Sequence, residues 1–324
     1  MHHPFIRRAT AGTGAALTLL LAACGGGIGG DEGGHIPATV PEDVRPQDGR
    51  TFTADATATT FAAMAAQAGD TVDMATTSRY AGVLGGAAYR IEVPANWNGK
   101  LVMYAHGYAG IGAALGVSNP SIRRWLVQNG YAWAASSYSK NYYDVRAGVE
   151  DTNKLALNFN TITTAAGRTL AAPSRIYITG HSMGGHITGA AIEAEAAGTA
   201  VNKVHYHGAV PMCGVMGDTE LFNQFAAIQV TAQALAGQAA VPTPQWATIS
   251  APVTAALFTT FPSVPTAAGL KFKSVLQNIT GGPRPMFDLG LALPGSSFAN
   301  IWGSLGGDGR SEEHTSELQS RIPI

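Results

Sequence analysis

A serine flanked by glycines stands where a short apolar strand is expected to end. Residues 180–185 read Gly-His-Ser-Met-Gly-Gly, after the apolar run 175–179 and before a predicted helix over 186–197. Glycines on both sides of the serine remove Cβ atoms that would clash in so sharp a turn, and a helix N-terminus leaves backbone amides unpaired. Ser182 is therefore predicted to be a nucleophile for acyl transfer, with the Met183 amide stabilising the developing oxyanion.

The alternative interpretation of this motif is the glycine-rich strand–helix turn of a nucleotide-binding fold. Its spacing matches neither G-x-G-x-x-G nor a P-loop, which requires a lysine that this motif lacks. The strand before the motif and the helix after it favour the nucleophile.

A second oxyanion donor is expected after another apolar strand, residues 101–105. That strand leads into His106, Gly107 and Tyr108, and the glycine lets the backbone approach a substrate closely. We predict that the Tyr108 amide is this donor.

The elements around these motifs predict an α/β fold. Two strand-like runs meet at Gly85-Gly86, which indicates a hairpin, and further apolar strands alternate with helices. Such alternation predicts a mostly parallel sheet with helices on both faces. The predicted strands are 79–84, 87–93, 101–105, 131–137, 175–179 and 204–212, and the predicted helices are 61–68, 121–129, 150–159 and 186–197.

From about residue 89 to residue 218 the chain resembles the α/β-hydrolase superfamily, in its esterase and lipase branch. The resemblance is carried by residues 106–108, by residues 180–185 and by the strand leading to Pro-Met-Cys-Gly at 211–214. It implies a Ser-Asp/Glu-His triad in that chain order, with no metal and no organic cofactor. The motif is specific for the superfamily but not for a substrate.

The resemblance places the triad acid after a strand that follows the helix predicted over 186–197. It places the triad histidine after the last strand. His106 precedes the serine, so we expect it to be structural. Asp218 is the candidate acid within the chain, and Asp288 is a further alternative. We expect the acid to lie beyond Gly309, because no strand of the usual kind precedes an acid before that point.

The other histidines are expected to be structural. His181 is predicted to form local contacts within the turn at residues 180–185. His186 is predicted to pack where the following helix meets its neighbours. His205 and His207 share one face of the strand predicted over 204–212. A His-x-His pair on a strand can bind a metal, but no third ligand is apparent, so no metal site is predicted.

Residues from about 217 to 300 have a different character, rich in Ala, Pro and Thr with scattered Phe and Trp. Helices are predicted over 220–237, 254–258 and 270–278. We interpret this region as a helical lid over the sheet; the alternative is a set of peripheral helices with no role in specificity.

Residues 310–324 do not fit the chain before them. They are suddenly polar and dense in Glu, and residues 310–320 resemble the translation of a short-read sequencing adapter. We expect them to be read-through, so His314 is excluded as a candidate catalytic histidine. We expect residues 51–309 to be an incomplete hydrolase domain whose last strands and catalytic histidine are missing. A genuine acidic tail is the alternative.

The first residues predict an exported, lipid-anchored protein. A short apolar run ends at Cys24, and Leu21-Ala-Ala-Cys24 resembles the lipobox of bacterial lipoproteins. Residues 1–23 would be the signal peptide, Cys24 the lipidated residue, and residues 24–50 its Gly-rich tether. This predicts a location in the bacterial cell envelope, at the outer membrane or outside the cell; an ordinary signal with a Cys nearby is the alternative.

Composition excludes some partners. The formal net charge is −1 and the sequence pI about 6.7, so no basic surplus exists to bind nucleic acid. There are 2 Cys in all, so a lipidated Cys24 would leave Cys213 unpaired in this chain, and we expect Cys213 to be a small buried hydrophobe.

Together these features predict a serine hydrolase that cleaves carboxylic esters, small or polymeric, through an acyl-enzyme on Ser182. Two alternatives remain. The same residues could cleave amides or peptides, or the fold could serve as a non-catalytic binding lipoprotein.

Overall fold

The computed structural model describes residues 50–54, 56–108, 112–241, 245–285 and 287–288. The predicted signal peptide, Cys24, almost all of the tether and residues 310–324 lie outside these ranges. Within them, no helix is both long enough and apolar enough to span a bilayer.

A six-stranded sheet forms the centre of the fold. In chain order the strands are β1 (Thr53–Ala54), β2 (Ser78–Leu84), β3 (Ala87–Val93), β4 (Lys100–Ala105), β5 (Ala114–Leu115), β6 (Ala132–Ser136), β7 (Arg175–His181), β8 (Gly208–Met212), β9 (Phe258–Thr260) and β10 (Val264–Pro265). The central order is β2-β3-β6-β4-β7-β8, antiparallel at β2–β3 and β3–β6 and parallel at the three other pairings. The predicted hairpin and the mostly parallel sheet are both confirmed.

The helices alternate with the strands through the first two thirds of the chain. They are α1 (Arg123–Gln128), α2 (Val145–Ala165), α3 (Met183–Ala190), α4 (Ala194–Thr199), α5 (Asp218–Leu235), α6 (Trp246–Leu257) and α7 (Ala267–Ile279). Short 3-10 turns lie at Ala56–Thr59 and Met74–Thr76.

Both faces of the central strands β4 and β6 are buried, as the continuous apolar strands predict. Along β4, Leu101, Met103 and Ala105 belong to one core, and Val102 and Tyr104 belong to a second. Helices α2 and α3 pack in the first core and α1 in the second. The structure thus has helices on both faces of the sheet and fits an α/β-hydrolase-like fold.

Four predicted elements before residue 217 differ clearly from the observed ones. The helix predicted over 150–159 is α2, which extends over Val145–Ala165. No helix forms over 61–68, because arginine side chains take backbone carbonyls there: Arg123 donates to the Ala62 carbonyl and Arg124 to the Ala65 carbonyl. The helix predicted over 186–197 begins three residues earlier and is divided into α3 and α4. The strand predicted from residue 204 begins only at Gly208.

One fully buried carboxylate joins the N-terminal segment to the sheet. Glu92, on β3, accepts hydrogen bonds from Thr77, Trp133 and the Arg123 guanidinium at 2.6–3.0 Å. A buried charge is tolerated when it is paired and its lone pairs are satisfied, as here. Since Arg123 also binds the Ala62 carbonyl, the same ion pair holds the segment before β2 against the sheet.

Residues after β8 form a helical unit with its own core. Helices α5, α6 and α7 bury a separate apolar cluster that includes Trp246, Leu257 and Phe272. The three helices predicted for this region are present, although α6 is longer than the predicted segment 254–258. The role of this helical unit as a lid stays a prediction.

Candidate active site

Ser182 stands in the turn between β7 and α3. Its φ of 55° and ψ of −119° are unusual for a residue other than glycine, and such strain is held where the surroundings fix it. The Ser182 amide donates to the Met212 carbonyl at 3.0 Å, and the Ser182 carbonyl accepts from the His186 amide at 3.1 Å. The side chain is exposed at the carboxyl end of the sheet. The strand–turn–helix geometry expected for this motif is therefore present.

The glycines of the motif are required by the backbone around them. A Cβ on Gly184 would collide with the carbonyl group of Ala105 and lie 2.6 Å from the His106 oxygen. A Cβ on Gly185 would lie 2.8 Å from the Met212 oxygen. Helix α3 thus approaches β4 and β8 at distances that only glycine allows.

We expect Gly184→Ala to destabilise the fold by about 1–3 kcal/mol, because backbone rather than a flexible side chain must give way. Gly198→Ala is the matched control: Gly198 also lies in a helix, α4, and a Cβ there would meet nothing within 4 Å. That change should leave stability equal or raise it by up to about 1 kcal/mol. Thermal unfolding of the two variants checks this, and equal melting temperatures would contradict it.

The predicted oxyanion donors flank Ser182. Met183 is the first residue of α3, so its amide has no partner within the helix and lies at the positive end of the helix dipole. Across the turn, a Cβ on Gly107 would lie 3.4 Å from the Ser182 Cβ. The backbone at Gly107, just before Tyr108, thus lies against the serine, and the role of the Tyr108 amide as second donor stays a prediction.

His106 is held in a structural position. Its ring is buried and stacks on Tyr138 with centroids 4.1 Å apart, and its Nδ1 bonds the Gly107 carbonyl at 2.6 Å. Burial lowers the pKa of His106, which keeps the ring neutral. This placement fits the structural role expected for it.

The remaining described histidines also have partners other than Ser182. The Nδ1 atom of His181 lies 3.3 Å from the Tyr104 hydroxyl, and that of His186 lies 2.9 Å from the Tyr143 hydroxyl. Within the described ranges, no residue forms a hydrogen bond with the Ser182 hydroxyl. The identity of the base that would activate this serine stays a prediction.

His205 and His207 precede β8, with ring centroids 5.5 Å apart. The Ile176 amide donates to Nδ1 of His207 at 3.2 Å, so this ring nitrogen already has a hydrogen-bond partner. In the part of the chain that the structure describes, no cluster of three or more His, Cys, Asp or Glu could hold a metal ion.

The candidate acids are placed differently. Asp218 is the first residue of α5, on the chain segment that leaves the carboxyl end of β8. Asp288 instead forms a 2.7 Å ion pair with Lys273, and its side chain is 73% exposed. Asp288 is thus part of a surface ion pair.

The prediction that Cys213 is buried is wrong. Cys213 follows β8 directly, has a φ of 49° and is exposed. The left-handed backbone at this position turns the chain away from the sheet, so the side chain is not packed in the core.

Sequence reasoning missed the loop after β6. Residues 137–144 supply Tyr138 and Tyr143, which contact His106 and His186, and Asn141, which binds carbonyls after β4. The signal was a run of polar and aromatic residues immediately after a buried strand, at the carboxyl edge where sites of such sheets lie.

No protein-family model matches the chain, and no curated protein matches it. Solved structures with local similarity include Thermogutta terrifontis esterase 2 at 16% identity and esterase B from Lactobacillus rhamnosis at 19%, each over 37% of this chain with a TM-score of 0.26. Pyrococcus horikoshii acylaminoacyl peptidase matches at 14% identity over 40% of this chain, also with a TM-score of 0.26.

The matched regions span 48%, 41% and 22% of those three proteins respectively, less than half of each. At such a TM-score these proteins have no bearing on the chemistry of this chain. The assignment of the site therefore depends on its own geometry.

Proposed function

We propose that the protein is a serine hydrolase that cleaves carboxylic esters through an acyl-enzyme on Ser182. The observation that carries the proposal is the exposed, strained Ser182 between a buried parallel strand and the N-terminus of α3. The first amide of the helix and the close approach of Gly107 supply the surroundings that acyl transfer needs.

In this mechanism the Ser182 hydroxyl attacks the ester carbonyl carbon while a histidine outside the described residues takes its proton. The negative charge that develops on the carbonyl oxygen is stabilised by the Met183 and Tyr108 amides. The C–O bond to the alcohol breaks, and the histidine returns the proton to the leaving alcohol. Water then attacks the acyl carbonyl carbon while the histidine takes a proton from it. The bond to the Ser182 oxygen breaks, the carboxylic acid leaves, and the histidine returns the proton to the serine.

A fluorophosphonate probe tests the nucleophile directly. In the full-length protein, by which we mean the gene product with the gene's own sequence after residue 309, the probe should label Ser182 and no other serine. Peptide mapping identifies the labelled residue. Turnover of matched p-nitrophenyl esters and p-nitroanilides then separates ester from amide cleavage. No labelling and no turnover of either would leave a binding protein as the function.

We further propose that the protein is anchored in the cell envelope through lipid on Cys24, with residues 25–50 as the tether. Several buried acyl chains give firm attachment, since each buried CH₂ contributes roughly 0.8 kcal/mol. In cells, Cys24→Ala should therefore move the protein out of the membrane fraction. Unchanged fractionation, together with a mature N-terminus of unmodified mass, would contradict the anchor.

A further inference from the structure

The backbone that carries the proposed Tyr108 donor is fixed on its N-terminal side by the loop after β6. The Tyr138 hydroxyl donates a 2.9 Å hydrogen bond to the His106 carbonyl, and the His106 ring stacks on the Tyr138 ring. Both side chains are buried. The chain that leaves β4 is thus held as far as the residues just before Tyr108.

The same loop holds the chain again on the C-terminal side of Tyr108. The Asn141 side-chain amide donates 2.8 Å hydrogen bonds to the carbonyls of Gly112 and Ala114. The Gly112 amide in turn donates to the Tyr142 hydroxyl at 3.3 Å. Asn141 is buried, and its one side-chain amide group serves both carbonyls.

A segment from the start of the described chain completes this support. Strand β1 pairs with β5 in parallel, and the Thr53 amide donates to the Ala113 carbonyl at 2.9 Å. The Arg50 guanidinium lies 3.7 Å from the centre of the Tyr142 ring, a cation–π contact. Residues 112–115 are therefore held between β1 and the loop after β6.

Two residues of the loop after β6 have strained backbone conformations. Tyr138 has a φ of 60° and Tyr142 a φ of 69°, values that residues other than glycine seldom adopt. Such conformations persist where surrounding contacts over-determine them and cluster at functional sites. Asn141 lies between the two strained residues, where its side chain reaches the two carbonyls.

We propose that Asn141 is a positioning residue for the oxyanion hole. By fixing residues 112–114, which follow Tyr108 closely in the chain, it restrains the position of the Tyr108 amide. Asn141 contacts neither Ser182 nor a substrate in this proposal, which rests on the proposed hydrolase function. Its effect should fall on the transition state and not on substrate binding.

The test is a kcat and KM measurement on Asn141→Ala in the full-length protein with a p-nitrophenyl ester. Loss of one oxyanion donor costs about 10²–10³ in kcat, so a misplaced donor should cost at least about tenfold. KM should change by less than about twofold, because the ground-state ester makes little use of the donor.

Asn160→Ala is the matched control. Asn160, on α2, likewise donates through its side-chain amide to two loop carbonyls, those of Leu170 at 2.9 Å and Ala171 at 3.0 Å. Its removal should lower the melting temperature to a similar extent and leave kcat within about twofold of the wild type. Equal losses of kcat in the two variants, or an unchanged kcat in Asn141→Ala, would overturn the proposal.

Hydrogen exchange separates failure of this inference from failure of the proposed function. If the complete gene product, with the gene's own sequence after residue 309, hydrolyses no ester, the hydrolase proposal fails on that result alone. The peptide covering residues 106–108 should still exchange faster in Asn141→Ala than in Asn160→Ala. Identical exchange in the two variants would show that Asn141 does not hold this segment.

Discussion

In the complete gene product, which we propose carries the catalytic histidine beyond residue 309, Ser182→Ala should lower ester turnover by several orders of magnitude, with on the order of 10⁶ in kcat as the loss seen when a triad serine is removed. Alanine has no hydroxyl that could form the acyl-enzyme. No other described side chain stands exposed in the turn at the N-terminus of α3, next to Gly107, to take its place. Alanine keeps the Cβ and suits the same turn, so the fold should survive. Initial rates with a p-nitrophenyl ester, together with thermal unfolding, measure both effects.

Ser174→Ala is the control for this prediction. Ser174 precedes β7, at the opposite end of the same strand, and its hydroxyl donates one 2.9 Å hydrogen bond to the Gly99 carbonyl. That variant should keep kcat within about twofold. Retention of most of the activity in Ser182→Ala would refute Ser182 as the nucleophile.

The turn around Ser182 could be predicted from sequence because its determinants are local. The glycines at 180, 184 and 185 are needed by backbone that lies within a few residues or on the adjacent strands, and the apolar runs that form those strands are continuous. A buried parallel strand has to be apolar on both faces, so its sequence alone identifies it. The alternation with helices then predicts that these strands pair mostly in parallel.

The support of the site could not be predicted, because its contacts are distant in sequence. Asn141 binds carbonyls of residues 112 and 114, and Thr53 binds that of Ala113. Nothing in a local pattern tells which carbonyl a buried amide will reach. The predicted helix over 61–68 failed for the same reason, since arginines on α1 take its carbonyls.

The second large effect concerns the catalytic base, which we place outside the described residues. His106, His181 and His186 are each held by other partners, and His205 and His207 lie before β8, at the end of the sheet away from Ser182. Among the described strands β8 pairs with β7 alone, and Val210 on it is 60% exposed. A serine without its base is a poor nucleophile at neutral pH.

We therefore expect the 324-residue chain to hydrolyse esters no faster than its own Ser182→Ala variant. We propose that residues 310–324 are read-through and that the gene's own sequence after residue 309 supplies the histidine; the gene product with that sequence, established by resequencing the 3′ end of the gene, should be active. The two proteins are expressed side by side and assayed with the same ester. Equal esterase activity in the two proteins would mean that one of the described histidines is the base, and that the side-chain contacts seen here rearrange when substrate binds.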